Sequence, residues 1–358
     1  MPTAPFSLIF AFSFTQPRSR PVPPKKPAQH TLLTKLRQKG ASLKLGGKSA
    51  DNHLQVGLLP SKGSLKRNYR FIRRILLPQL FSKRTGRTHR PDLAPPLTPD
   101  FRVTWIGHAS WLVQTEGVNI LIDPVWAKWL GIIKRLRQPG LAIAELPPIH
   151  LVLVSHAHFD HLHLTSLKRI ACAQPILVPK GVGSLVENRG FSPVVELDYW
   201  ESIACGPLTI TLTPSKHWGA RMVHDTHRSF GGFLITNSAS RTLFHCGDSA
   251  YFDGFTRIGQ TAAIDLALLP IGAYDSMSGR EVHMNPEEAL TAFTDLAATH
   301  MMPMHYATFP LGGEPIHQPL ERLHQAAKTL ALTQKIIVPE EGKPTTFKNG
   351  LWIPDSPP

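Results

Sequence analysis

Cysteine is scarce in this chain. Cys172, Cys205 and Cys246 are the only three in 358 residues, too few and too scattered for a disulfide framework or a Cys-rich zinc site. No apolar run reaches the ~18 residues that span a bilayer, which argues against an integral membrane protein. Charged residues make up only 18%, while hydrophobic residues reach 42% and mean hydropathy is −0.10. A wholly disordered chain is poorer in apolar residues, so the bulk of this one folds. Acidic residues are nearly missing from the first 100 positions, which hold 19 Lys and Arg against 3 Asp and no Glu. The net charge of +14 therefore belongs to an N-terminal arm, and residues 101–358 are close to neutral. What is abundant is histidine, 18 in all, 15 of them in the neutral part.

The arm reads as three pieces. Met1 to Gln16 is uncharged and contains SLIFAFSF; it lacks the basic flank of a secretory signal and is not read as one. Pro17 to about Pro60 is rich in Pro, Gly, Lys and Arg and reads as a linker. Ser64 to Phe81 places Tyr69, Ile72, Leu76 and Leu80 at helical spacing among Lys66, Arg67, Arg70, Arg73 and Arg74, with Pro78 expected to end or bend the helix. Such a helix suits an anionic membrane surface. The favoured reading docks its apolar stripe on the body and leaves its charges in water. The Pro-rich stretch 89–100 marks the boundary to a second domain, 101–358.

From Phe101 the texture becomes strand-like. FRVTWIGHASWLVQT, NILIDPVW, IHLVLVSHAHFDHLH, PILVP, LTITLTPSKHW, SFGGFLIT, RTLFHCGDSAY, DLALLPIG, MMPMHYATF and KIIVPEEG are strand candidates. Helix candidates are 164–171, 184–190, 285–298 and 319–330, with Pro286, Glu287 and Glu288 suiting a helix start. The expected fold class is a layered α/β protein with its site along one sheet edge.

The chemistry lies in VLVSHAHFDHLH, which sets His156, His158, Asp160 and His161 within six residues after a buried strand. Four such side chains are costly to bury without a cation to pair them, and imidazole with carboxylate suits Zn²⁺ and similar borderline metals. With this HxHxDH loop the sequence resembles the metallo-β-lactamase superfamily. GHASWLV with LIDP, KHW (216–218), HCGDSAY (245–251) and PMHYATF (303–309) extend the resemblance. HW, GDxxY, IGAY, HxxPEEA and HxxTF make it most like the N-acylphosphatidylethanolamine-hydrolysing phospholipase D group, over about residues 101–340.

The resemblance implies an αββα sandwich and two Zn²⁺ ions. One is held by His156, His158 and His217, the other by Asp160, His161 and His305, with Asp248 bridging. It implies a phosphodiesterase that uses a metal-bridged hydroxide, whose proton Asp160 or Asp248 holds. His283 is the substrate-side group, hydrogen-bonding a phosphoryl oxygen or protonating the leaving alkoxide. Asp123 orients the metal loop or accepts turn hydrogen bonds. His108 is taken as structural or as support for a ligand, His163 as a helix histidine and His245 as core. His224 and His227 are taken as loop residues near His217, and Tyr251 and Tyr274 as lining the pocket or holding turns. The expected substrate is a small molecule or phospholipid, and the expected location is cytoplasmic with peripheral contact to anionic membrane through the arm. Nucleic acid is not favoured, because the arm has few aromatics and no nucleic-acid module follows it. A lactonase similar to ascorbate-6-phosphate lactonase and a nuclease of the same fold are the alternatives within the enzyme class. A binding protein with a vestigial site is the alternative outside it, and the complete ligand set argues against that one.

Overall fold

The computed structural model describes residues 14–15, 69, 72–222, 225–275, 281–348 and 351–355. The linker Pro17 to Pro60, residues 64–68, 70 and 71 of the helix expected over Ser64 to Phe81, and His224 lie outside them. Two large sheets pack face to face. The first has eight strands in the spatial order Leu351–Pro354, Pro344–Lys348, Arg102–Gly107, Ser110–Thr115, Val118–Ile122, Leu151–Leu153, Ile176–Pro179 and Val194–Leu197. The second has seven: Phe14–Thr15, Ser202–Cys205, Leu208–Thr213, Gly232–Thr236, Thr242–His245, Ile264–Pro270 and His300–Met304. Each sheet begins with antiparallel pairings and ends with parallel ones.

Period-two alternation divides the cores. Val103, Trp105, Trp111, Val113, Ile120 and Ile122 point inward and meet Ile210, Leu212, Phe233, Ile235 and Leu243 of the second sheet. The residues between them, Ile106, Leu112, Leu121 and Val152, point outward. There they pack with Leu167 and Ile170 of helix α2, Leu164–Ile170. Helices α4 (Pro286–Asp295) and α5 (Gln318–Thr329) close the other side, through Leu290, Phe293 and Leu323. The result is the helix–sheet–sheet–helix sandwich that the resemblance implies.

Several expectations are corrected. The candidate helix at 184–190 is a single short turn, Gly183–Leu185; Asn188 and Gly190 both take positive φ, which stops it. KIIVPEEG contributes one isolated bridge, Ile336 to Met301, and no strand. Helix α3, Gly254–Thr261, escapes sequence reading because it contains Gly254 and Gly259. Gly259 is needed because a Cβ there would sit 2.4 Å from the Leu296 carbonyl oxygen.

Nor does the arm's apolar stripe dock. Ile72–Leu76 form one wide π-type turn, and Pro78 enters the first turn of α1, Leu77–Phe81, without ending it. Tyr69 is 62% exposed, Phe81 87%, and Ile72, Leu77 and Leu80 are also exposed. The buried anchor is polar: the Gln79 side chain accepts the Lys134 backbone N–H at 2.8 Å. Beyond it the chain is strapped to the body by backbone bonds from Thr85 to Leu136 and from His89 to Gly140. Leu93 is buried in the outer core. Packing against the body thus starts well before Phe101.

Candidate metal centre

The clustered side chains stand just past the C-terminal ends of strands, at one end of the sandwich. Leu151–Leu153 runs into the loop carrying His156, His158, Asp160 and His161. Leu208–Thr213 leads to His217, Thr242–His245 to Asp248, and His300–Met304 to His305. All seven expected ligands come together with His108 and His283. They form three overlapping groups whose ligand-type atoms lie within 4.8 Å of one another: His156, His158, His217 and Asp248; His108, Asp160, His161 and His305; and Asp248, His283 and His305. Asp248 joins them. Its Oδ2 is 3.8 Å from Nε2 of His156 and of His217, 3.3 Å from His161 Nε2 and 3.1 Å from His305 Nε2. Its Oδ1 is buried without a hydrogen-bond partner among the described residues.

The rings are aimed by bonds at their far nitrogens. His161 Nδ1 donates to Asp123 Oδ2 at 2.7 Å, His217 Nδ1 donates to the Val282 carbonyl at 2.9 Å, and His156 Nδ1 meets Ser155 Oγ at 3.0 Å. Each bond leaves Nε2 facing Asp248, the usual way a protein fixes a metal-binding tautomer. Asp123 is itself fixed by the Ser155 N–H at 2.7 Å and the Ser155 hydroxyl at 2.6 Å, so the supporting role expected of it matches its geometry.

His158 turns Nδ1 inward, 2.9 Å from His156 Nε2 and 3.2 Å from His217 Nε2. Burial lowers the pKa of His158 to about 4 and holds His156 and His217 well below the ordinary value, helped by neighbouring histidines. Neutral rings bring lone pairs this close only around a proton or a cation. In the other half burial also opposes charge on His305, yet the carboxylates of Asp248 and Asp160 outweigh it and raise the pKa to about 9. His161 is raised in the same way, against its burial, by Asp248, Asp160 and Asp123. Two buried carboxylates thus draw positive charge onto the rings, and a bound cation would supply it instead. The donor set therefore fits borderline divalent metals.

His108 stands closer in than the sequence indicates. Its φ is +57°, a value the sequence gives no sign of. Burial lowers its pKa to about 3, so its neutral ring donates from Nε2 to Asp160 Oδ2 at 2.9 Å. Its carbonyl accepts from the His305 N–H at 3.0 Å and from Trp105 Nε1 at 2.8 Å. His108 thereby ties Asp160 to His305. The preceding Gly107 has φ +122°, and a Cβ there would lie 2.6 Å from Arg135 Nη2. Arg135 is a buried residue that sequence reasoning missed. It fills this corner by bonding the Val125, Ile106 and Arg137 carbonyls. Arg221, also missed, donates to the Ala157 and Leu162 carbonyls at 2.7 and 2.8 Å and covers the Phe159 ring, clasping the HxHxDH loop from outside.

His283 is buried with Nδ1 3.9 Å from Asp248 Oδ2 and without a hydrogen-bond partner among the described residues. Its ring stacks on His305 at 5.6 Å, and burial lowers its pKa to about 4. The other singled-out residues have structural work. His163 caps α2, accepting the Ser166 N–H. His245 is core, donating to the Ala109 carbonyl. His227 is exposed. The Tyr251 and Tyr274 hydroxyls donate to Asp295 and Gln318, at the end of α4 and the start of α5.

The family described as a beta-lactamase superfamily domain matches residues 118–306. Among relatives, the mitochondrial N-acyl-phosphatidylethanolamine-hydrolyzing phospholipase D of Saccharomyces cerevisiae is 35% identical over 260 residues, which is 68% of this chain and 55% of that one. A metal-dependent hydrolase of Rubrobacter xylanophilus is 31% identical over 68% of this chain and 95% of its own. Among solved structures, a metallo hydrolase from Ignicoccus hospitalis superposes with a TM-score of 0.54 at 25% identity, covering 70% of this chain and 99% of that one.

Proposed function

The chain belongs to the beta-lactamase superfamily and is a metal-dependent hydrolase; from that premise we propose that it is a zinc phosphodiesterase acting on N-acylated phospholipid. The observation that carries this reading is the double cluster around Asp248 with His283 beside it. His156, His158 and His217 would hold one ion and Asp160, His161 and His305 the other, with Asp248 placed to serve both. When bound, such a pair supplies a nucleophilic water at neutral pH and offsets charge on phosphoryl oxygens. The protein's own groups do the rest. Asp248 Oδ1, otherwise unpartnered, takes the proton of the attacking water. Asp160 is kept ionised by the His108 N–H and the surrounding histidines, which outweigh its burial. His283 is kept neutral by burial, so it serves as a hydrogen-bond donor to a phosphoryl oxygen and not as the acid for the leaving group. The substrate class is supported by the yeast relative, an N-acyl-phosphatidylethanolamine-hydrolyzing phospholipase D.

The test is a panel of bis-p-nitrophenyl phosphate, N-acylphosphatidylethanolamine, a lactone and RNA with metal-loaded protein. The expected outcome is release of phosphatidic acid from the phospholipid. His283→Ala should lower turnover by about 10²–10³-fold, the usual cost of removing one hydrogen-bond donor to a developing oxyanion, with metal content unchanged. Lactone opening with bis-p-nitrophenyl phosphate and N-acylphosphatidylethanolamine untouched contradicts the reading.

A further inference from the structure

Thr308, the threonine of HxxTF, belongs to none of the ligand groups, yet it is fully buried. Its hydroxyl accepts the His108 N–H at 2.8 Å and donates to the Tyr306 carbonyl at 3.3 Å. Its own carbonyl accepts the Leu136 N–H at 2.8 Å. The Leu136 carbonyl in turn accepts the Thr85 N–H at 2.9 Å, and the Thr85 carbonyl accepts the Gln138 N–H at 2.8 Å. Thr308 therefore stands between the strap that follows α1 and His108, the residue that holds Asp160.

The backbone it holds is unfavourable by itself. His108 has φ +57°, and His305 and Ala307 have φ +60° and +58°. Left-handed backbone is costly for residues with a Cβ and persists where the surrounding bonds over-determine it. His108 is fixed at its ring by Asp160 and at its carbonyl by the His305 N–H and Trp105 Nε1. The bond to Thr308 fixes its N–H and leads away from the cluster, to the strap. Among the described residues no hydrogen bond joins Thr308 or His108 to His156, His158 or His217, so this chain of bonds serves one half of the site.

We propose, on the basis of the two-ion reading of the site, that Thr308 is a positioning residue for the second ion, and that through it the strap and that ion stabilise one another. Coupling of this kind is reciprocal: a firmly held strap tightens the ion, and the ion tightens the strap.

The test compares full-length wild type with Thr308→Val, which keeps the shape and loses the hydroxyl, and with Thr308→Ser, which keeps the hydroxyl. Leu323→Ala, buried in α5, is the control for stability lost elsewhere. Zn²⁺ is titrated into metal-free protein against a chromogenic chelator. Hydrogen exchange of the segments 82–90 and 344–354 is followed with and without Zn²⁺. Thr308→Val should bind the second ion about 10–100-fold more weakly, the usual cost of disturbing the support of a metal ligand, with the first ion unchanged. Thr308→Ser should restore most of that affinity, and Leu323→Ala should lower the melting temperature without altering either ion. In wild type, zinc should slow exchange at 82–90 more than at the terminal hairpin 344–354, and Thr308→Val should lose the difference. The wild-type exchange decides the coupling without any substitution: equal slowing of both segments overturns it. Second-ion affinity unchanged in Thr308→Val, equal weakening of both ions, or the same weakening in Leu323→Ala overturns the positioning role. Wild type that takes up fewer than two ions overturns the two-ion reading and this proposal with it, whereas two ions in wild type and an unaltered Thr308→Val overturn the proposal alone.

Discussion

Asp248 lies within 4 Å of a nitrogen on each of five histidines, and its charge sets what the metal-free protein must do. Burial alone would keep His305 neutral, but Asp248 and Asp160 raise its pKa to about 9. A folded pKa above the unfolded one gives stability that is fully present below about pH 6.5 and lost as pH rises through about 9. The metal-free protein should therefore lose thermal stability between pH 7 and 9, while the loaded protein changes less. Metal uptake must also expel that proton. Calorimetric titration of metal-free protein with Zn²⁺ at pH 7.5, in buffers of different protonation enthalpy, should show at least one proton released per chain. A buffer-independent heat would mean that His305 was already neutral.

At the scale of elements, α4 connects folding to the site. Asn285 caps it: its side chain accepts the Glu288 N–H while the Glu288 carboxylate accepts the Asn285 N–H. His283 sits two residues upstream, so the cap fixes the turn that aims it. Asn285→Ala should cost about 0.5–2 kcal/mol and raise KM for a phosphodiester more than it alters metal content; an unchanged melting temperature would show the cap to be idle.

This helix was legible in NPEEA, because Pro286, Glu287 and Glu288 are start signals; the Asn285 cap emerged only with the structure. The strand ends bearing His156, His217, Asp248 and His305 were legible too, since apolar alternation stops where ligand-type residues begin. Arg135 and Arg221 were not legible. Both act by bonding backbone carbonyls, and no spacing in the sequence marks which carbonyls will converge. His108 was half legible: its place at a strand end was visible, but its contact with Asp160 depends on a left-handed backbone that no motif encodes. The partners of the Tyr251 and Tyr274 hydroxyls were not legible either, because Asp295 and Gln318 are distant in sequence.

Across the whole molecule, the packed body extends back through the strap at residues 82–100, so a truncation that spares the strap removes residues 1–71, the Phe14–Thr15 edge strand among them. No helix among the described residues is long and apolar enough to cross a membrane. Tyr69, Ile72, Leu77, Leu80 and Phe81 nevertheless stay exposed beside a strongly basic arm. We infer peripheral contact with an anionic surface through this face. Full-length protein should co-sediment with phosphatidylserine-containing vesicles at low salt and release at high salt, since the charges are screened. The truncated form keeps Ile72, Leu77, Leu80 and Phe81 but loses most of the arm's Lys and Arg, so it should sediment less while keeping its metal. Full-length protein that ignores such vesicles at low salt would leave the exposed face without this role.

The dinuclear centre bridged by Asp248 is the claim on which the rest depends, and metal stoichiometry tests it most directly. Elemental analysis of metal-replete wild-type protein should give two zinc ions per chain. Asp248→Ala should lose both, and His305→Ala should mainly lose the second. Trace metal in the wild type, or two ions retained in Asp248→Ala, would contradict the account.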